Sequence, residues 1–303
     1  MCLGEIFGKF TAMERIQSPS SINLYRRCPR KYYYKYVRGL ATPPNIYQIK
    51  GKVLHSILEK FFDLDVNGLD FNNYEGQLKS KLQELAVKIW KENKELIDSF
   101  GLSQKDISFY FDQIVLMLVH WFELFNYRLS IRKKESFDQT FNLLKPVREK
   151  RYYSDYYKVQ GYIDAIENFD GNIRIMDYKT TTSEGMNEEY KTQLAIYTLL
   201  YYEEHGKLPD KVGIYFLKDD GIKEEFLDVG VDLLEHAKNE IMEIKERTVS
   251  EKMEDYPKTQ EVYKNCKWSS GRCEFYEACY GQKTFTDFQT ADKIIMEEDL
   301  GEF

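Results

Sequence analysis

No stretch of this sequence approaches the ~18 to 20 consecutive apolar residues that a membrane-spanning helix needs. The richest run, Ile114 to Val119, is followed at once by His120 and then by Glu123. The N-terminus carries Glu5 and Lys9 among scattered apolar residues and no signal-peptide core. The expectation is a cytoplasmic protein with no membrane partner. Positive charge is in short supply too: 43 Lys and Arg stand against 50 Asp and Glu, a formal net charge of -7. That excludes a strongly basic nucleic-acid coat protein. It leaves room for an enzyme acting on nucleic acid, whose basic surface can be local and whose metal site must be acidic. No internal repeat and no low-complexity linker is present. No G-x-x-x-x-G-K-[ST] loop occurs, so any nucleotide-driven motor would be a separate chain. Five cysteines argue against a disulfide scaffold and raise metal or cluster binding instead.

What is abundant is apolar and aromatic surface. Hydrophobic residues make up 43% of the 303 residues, with 24 Tyr and 19 Phe, enough to bury a substantial core. Ser20 and Ser21 read as the N-cap of a helix over about Ile22 to Tyr36, with a kink or restart at Pro29. Pro43 and Pro44 make a break. A second helix is expected from near Lys50, on the stripe Val53, Leu54, Ile57, Leu58, Phe61, Phe62. The pattern stays helical over 72–130, with Ile107 to Leu129 apolar enough to be a buried helix.

Near Phe141 the texture changes. Leu143 to Tyr153, Tyr156 to Glu167, Ile173 to Lys179, Val212 to Leu217 and Glu224 to Val229 read as strands. Asp170-Gly171 is a hairpin turn. Glu188 to Glu204 and Asp232 to Arg247 read as helices. The fold class that follows is α+β, a single domain over 1–303. A small mixed central sheet over 141–229 is flanked by helices, with a helical insertion at 72–130 and a cysteine-rich segment at 259–285. The first dozen residues read as a loose extension and Cys2 as functionless. The acidic tail and Glu251 to Asp255 read as solvated surface.

Gly161-Tyr-Ile-Asp164, then Asp177-Tyr178-Lys179, then Gln193-x-x-x-Tyr197 carry the chemistry. Antiparallel pairing of two hairpin strands can bring Asp164 and Asp177 together as a hard-oxygen site for Mg2+ or Mn2+. Asp177 and Lys179, two apart on a strand, share a face. Gln193 and Tyr197, i and i+4 on a helix, share another, able to hold substrate or brace the lysine. Singly each is ordinary. Exposed strands commonly alternate charges, and a lone histidine is more often packed than ligating. Their joint occurrence, in order and on the right elements, is the signal.

This constellation resembles the PD-(D/E)XK nuclease superfamily, most closely its RecB-like branch, where a histidine on an early helix precedes G-x-x-D, D-x-K and Q-x-x-x-Y. The histidine match is His55 in Gly51-Lys-Val-Leu-His55. The resemblance, over roughly Ile22 to Cys279, implies a restriction-endonuclease-like core. It implies metal ligands at His55, Asp164, Asp177 and the Tyr178 carbonyl, and catalytic roles for Lys179, Asp177, Asp164, Gln193 and Tyr197. Glu149 takes a supporting role. The implied activity is a metal-dependent deoxyribonuclease acting on single-stranded DNA or DNA ends, more an exonuclease than an endonuclease. Repair, recombination, CRISPR adaptation and phage DNA processing are compatible settings, with a helicase or another DNA-processing protein as partner. The alternatives are a structure-specific endonuclease of the same fold, and a nuclease-like module that only binds DNA or a partner.

Cys28, Cys266, Cys273 and Cys279 resemble the iron-sulfur staple of AddB-like and CRISPR-associated members, in which a [4Fe-4S] cluster ties the two ends of the chain together. The C-x2-C-x5-C pattern of those proteins is only half kept. Cys273-x5-Cys279 fits, whereas Cys266-x6-Cys273 carries extra residues. Zn2+ on four thiolates, or unligated thiols, are the alternatives. Arg26, Arg27, Arg30 and Lys31, beside Tyr32, Tyr33 and Tyr34, can contact phosphates while the tyrosines stack on bases; the other reading packs the tyrosines inward.

Overall fold

The computed structural model describes residues 15–42, 44–181, 185–268 and 271–281. The extension at the N-terminus with Cys2, Pro43, the acidic tail and the last residues of the 259–285 segment lie outside them. The first elements are α1 (Pro19–Arg27), α2 (Pro29–Tyr32), a π-helical turn (Tyr33–Val37), α3 (Ile46–Phe61), α4 (Tyr74–Glu92), α5 (Lys94–Ser99), α6 (Gln104–Ile131) and α7 (Phe137–Leu144). Then come β1 (Val147–Ser154), β2 (Val159–Phe169), β3 (Asn172–Lys179), α8 (Glu188–His205), β4 (Lys211–Lys218), β5 (Gly221–Leu227) and α9 (Val231–Arg247). The last are a 3-10 turn (Met253–Asp255), α10 (Val262–Asn265), β6 (Lys267–Trp268), β7 (Gly271–Arg272) and α11 (Tyr276–Tyr280).

The chain read from sequence as one domain divides into two compact units. Their described parts are 15–41, 153–160 and 238–281 for the first, and 42–152 and 161–237 for the second. The second unit holds the five-stranded sheet, in the order β1-β2-β3-β4-β5. β2 and β3 are antiparallel, joined through Asp170 and Gly171 at φ 55° and 94°, the left-handed pair that a tight hairpin turn requires. β3 and β4 are parallel, and the crossover that such a pair needs contains α8. β5 returns antiparallel to β4. The mixed sheet flanked by helices is thus as expected.

The core of this unit lies where α3, α6 and α7 pack on one face of the sheet. Phe61, Trp121, Phe125 and Phe141 meet Ala165, Met176, Tyr178 and Tyr215 there. α6 is long and apolar enough, by length and composition alone, to cross a membrane. Its Ile114, Met117, Leu118, Phe122 and Leu129 nevertheless enter this core, and its Arg128 pairs with Glu167 and Glu224. Those are the marks of a core helix.

Several boundaries differ from the sequence reading. Ser18, not Ser20 or Ser21, caps α1; Ser21 is the reciprocal partner of that capping box. α3 begins at Ile46, four residues before Lys50, because Asn45 and Gln48 make another capping box. Leu143, read as strand, lies in the last turn of α7, a helix capped by Ser136 that buries Phe137, Phe141 and Leu144 on one face. The strand starts at Val147.

In the first unit, Cys28 ends α1 and caps α2, and Pro29 occupies the first position of the new helix. Tyr32, Tyr33 and Tyr34 are buried. Tyr32 stacks on Tyr256 at 6.1 Å, and Tyr34 meets Phe275 at 5.3 Å. The tyrosines follow the inward-packed reading and are not presented for base stacking.

Candidate active site

All the motif residues belong to the second unit. The β2–β3 ladder runs from Phe169 opposite Asn172 to Ala165 opposite Met176. One step further along the same register sets Asp164 opposite Asp177. There the Tyr178 N–H donates to Asp164 Oδ2 at 2.7 Å, so a side chain takes the place of the next ladder bond. α3 brings His55 to the same point. Its Nε2 lies 3.0 Å from the Tyr178 carbonyl oxygen. A carbonyl can only accept, so Nε2 carries the proton of the neutral ring and Nδ1 presents a lone pair. Nδ1 stands 3.5 Å from Asp164 Oδ2 and 4.0 Å from Glu149 Oε1.

One ligand atom from each of His55, Glu149 and Asp164 lies within 4.8 Å of the others, the one such group among the described residues. Burial holds His55 down at about 4, with the Lys179 charge adding to the effect against the pull of Asp177, so the ring is neutral and able to ligate. Burial, joined by the charges of Asp164, Glu59 and Asp177, raises Glu149 to about 9. Burial raises Asp164 to about 6 despite Lys179 and the Tyr178 N–H. Three lone-pair donors converging in a desolvated space repel one another until a cation sits among them, and carboxylate plus imidazole donors suit a divalent ion. The residues therefore fit the metal that the sequence implied.

The membership of this group differs from the expectation in emphasis. Glu149, read as supporting, is one of the three. It sits in β1 with φ 46°, a left-handed conformation costly for a residue with a side chain inside a strand. Such a local distortion re-aims a side chain. Glu59, one helical turn after His55, was not singled out, although its i+4 spacing from the histidine is the sequence signal for a shared face. The Tyr178 carbonyl, expected as a ligand, accepts from His55 and keeps a second lone pair.

Asp177 has different partners. Its Oδ1 accepts from Gln193 Nε2 at 2.9 Å. Its Oδ2 lies 3.0 Å from Lys179 Nζ, an ion pair without the alignment of a hydrogen bond. The second Gln193 N–H reaches Tyr197 Oη, also at 2.9 Å. Gln193 therefore braces the aspartate rather than the lysine. Burial raises Asp177 to about 6 against the opposing charge of Lys179. Burial alone would lower Lys179, but Asp177 and Asp164 outweigh it and the ammonium is held charged.

The four described cysteines lie in the first unit, with Cys28 and Cys266 buried and none of the four in a disulfide. Between Cys266 and Cys273, β6 pairs antiparallel with β7, with Lys267 opposite Arg272 and Trp268 opposite Gly271. Cys273 is thereby returned to Cys266, and its N–H donates to the Cys266 carbonyl at 2.9 Å. Tyr280 Oη lies 3.9 Å from Cys266 Sγ. Among the described residues, no three of the sulfurs lie within 4.8 Å of one another. Of the cations expected to meet DNA, Arg26 pairs with Glu240 and Glu243, Arg30 donates to the Tyr256 carbonyl at 2.7 Å, and Lys31 pairs with Glu274 at 2.9 Å. Their charge is engaged within the unit, which a reading of charge along the sequence does not reveal. Arg27 likewise has an interaction within the chain.

Among solved structures, the chain is similar to a provisionally assigned exonuclease of Eubacterium rectale, at 11% identity and a TM-score of 0.47, covering 94% of this chain and 95% of that one. It is also similar to a protein designated SSO0001, at 14% identity and a TM-score of 0.33, covering 78% and 96%. No curated protein sequence matches. The model of the PD-(D/E)XK nuclease superfamily matches residues 17–280, most of the chain and every motif residue above. The acidic, histidine- and lysine-bearing centre thus sits in a chain that belongs to the PD-(D/E)XK nuclease superfamily.

Proposed function

We propose that this protein is a Mg2+- or Mn2+-dependent deoxyribonuclease. The single observation that carries the reading is the convergence of His55, Glu149 and Asp164 beside the Asp177–Lys179 ion pair. A divalent ion held by these donors supplies Lewis-acid charge and lowers the pKa of a bound water. The protein's own groups do the rest. His55 stays neutral and its Nε2–H is fixed on Tyr178 O. Gln193 fixes the plane of the Asp177 carboxylate. The Lys179 ammonium, held charged, faces the place where negative charge gathers on a phosphate as water attacks phosphorus and the ester oxygen leaves.

Family resemblance supports DNA as substrate and cutting from ends, on single strands in particular. It supports a role in repair, recombination, CRISPR adaptation or phage DNA processing, beside a motor protein encoded elsewhere. It also supports a [4Fe-4S] cluster on Cys28, Cys266, Cys273 and Cys279. Their thiol chemistry and the hairpin that returns Cys273 to Cys266 suit it. A tetrahedral Zn2+ site would draw the sulfurs to roughly 3.8 Å from one another, from Zn–S bonds of about 2.3 Å.

The test is incubation of end-labelled linear and circular DNA with Mg2+ or Mn2+, comparing wild type with Lys179→Ala and Asp177→Ala. Metal-dependent loss of label from linear DNA, absent in both variants, is expected. Cleavage surviving in both variants would overturn the reading. Cutting of circular single strands would move it to an endonuclease, and binding without cleavage to a binding module.

A further inference from the structure

The Tyr178 backbone serves two of the three metal-site residues. Its N–H holds Asp164 at 2.7 Å and its carbonyl holds His55 at 3.0 Å. Whatever fixes this residue therefore fixes both donors. Side chains alternate along a strand, so Tyr178 faces away from Asp177 and Lys179. It enters the core beneath the site instead. β4 sets Tyr215 directly beside it in the parallel register. The two rings stack at 5.4 Å with an interplanar angle of 21°, and the Tyr178 and His55 rings meet edge to face at 5.8 Å and 86°.

Tyr215 is itself held on every side. Its hydroxyl donates to Glu167 Oε1 at 2.7 Å and accepts from Arg174 Nη2 at 3.2 Å. The Arg128 guanidinium lies 5.1 Å over its ring. Arg128 is anchored in turn by Glu167 at 2.8 Å and Glu224 at 3.0 Å. An unbroken series of contacts thus runs from α6, at the end of the helical insertion, through Tyr215 and Tyr178 to the imidazole and carboxylate of the site. Core packing alone would ask only for an apolar side chain at 215. A ring parallel to Tyr178 and covered by the Arg128 guanidinium does more, because it sets the plane of the peptide groups on either side of Tyr178.

We propose that Tyr215 is a positioning residue for the metal centre: its ring, stacked on Tyr178, holds the peptide that orients His55 and Asp164. The proposal rests on the metal-site reading above. Partners that orient metal ligands typically contribute 10- to 100-fold in metal affinity.

The experiment is calorimetric titration of Mn2+ into the full chain without DNA, the site being identified as the binding lost in Asp164→Asn. Thermal unfolding is followed in parallel. Tyr215→Leu is expected to weaken Mn2+ binding by roughly tenfold or more, while Tyr215→Phe, which keeps the stacked ring, stays near wild type. Tyr178→Leu is expected to match Tyr215→Leu, and the double variant to add little, as for two members of one chain of contacts. A folded Tyr215→Leu protein with wild-type affinity would overturn the proposal, since a merely structural residue lowers thermal stability and leaves affinity alone. Equal loss in Tyr215→Phe would also overturn it, by assigning the effect to the hydroxyl. If Tyr215→Leu does not fold, Tyr215→Met takes its place with the same two outcomes. Wild-type protein that binds no Mn2+ at this site would instead sink the metal reading itself.

Discussion

A Cβ on Gly161 would stand 2.9 Å from Cε1 of Tyr197 and 3.2 Å from its Cδ1. The glycine that opens the Gly161-Tyr-Ile-Asp164 motif is thus the floor on which the Tyr197 ring lies. That ring is 4% exposed, and its hydroxyl takes the Gln193 N–H whose sister bonds Asp177. Gly161→Ala must push the ring, and the new Cβ would also crowd Leu200 Cδ1 at 3.3 Å. We expect the variant to lose about 1 to 3 kcal/mol, the cost of overpacking a filled core. It should lose activity beyond that because Gln193 is drawn off the aspartate. Denaturant unfolding and cleavage rates measure the two effects, and an unchanged stability would show that the ring is free to move.

The carboxylates of the site set the sign of its pH dependence. Glu149, raised to about 9, binds its proton more tightly folded than unfolded. Its contribution to stability is therefore full below its unfolded value and is lost as pH rises to about 9. Asp164 and Asp177, raised to about 6, act in the same direction but at lower pH. His55, lowered to about 4, opposes them between there and its ordinary value. Between about pH 7 and 9 only Glu149 is left among these four. The metal-free protein should lose stability across that interval, and Glu149→Gln should flatten the slope. Because metal must displace the proton, the stabilisation by Mn2+ should grow over the same interval. Thermal unfolding with and without Mn2+ at several pH values checks this, and a slope that survives in Glu149→Gln would assign it elsewhere.

The order of elements and the central motif were legible because each depends on short-range pattern. Hairpin chemistry at Asp170-Gly171 fixed which strands pair, and i,i+4 spacing joined Gln193 to Tyr197. Helix starts were less legible, since Ser18 and Asn45 act through capping boxes that compete with equally plausible serines and prolines nearby. What sequence hid is what depends on backbone distortion or on distant partners. The left-handed conformation of Glu149 in β1 has no local signature, so its convergence with His55 and Asp164 is not visible in the sequence. Arg26 and Lys31 looked like a cationic track because Glu240, Glu243 and Glu274 are more than two hundred residues away in sequence.

Arg128 tests whether the helical insertion is a structural part of the sheet. Its guanidinium satisfies Glu167 and Glu224, both on strands, and Glu167 is 5% exposed. Removing one partner of a buried pair leaves the other charge without compensation. Arg174, 3.3 Å from Glu167 Oε2, offsets part of that loss. Arg128→Ala should therefore destabilise by about 3 kcal/mol, and Arg128→Ala with Glu167→Gln by less than the sum of the two singles. Urea unfolding of the four proteins gives the cycle, and strict additivity would show that the ion pair carries no coupling.

Six residues separate Cys266 from Cys273, yet the β6–β7 hairpin makes the two neighbours, and Cys279 follows on α11. The longer spacing is thus absorbed by a fold of the chain that keeps the Cys273 backbone beside that of Cys266. A cluster joining them to Cys28 would close a loop of more than roughly 200 residues, and cross-linking a loop of that length is worth about 5 kcal/mol through the entropy of the unfolded chain. Protein purified without oxygen should be brown, with visible charge-transfer absorbance, and should contain iron. Cys273→Ala should lose the colour and unfold roughly 10 °C lower. The proposed nuclease centre is made wholly of residues in the other unit, so on that reading the folded fraction should still cleave with Mn2+. Colourless, iron-free wild-type protein that unfolds at the same temperature as Cys273→Ala would show that the four thiols bind nothing that holds the chain.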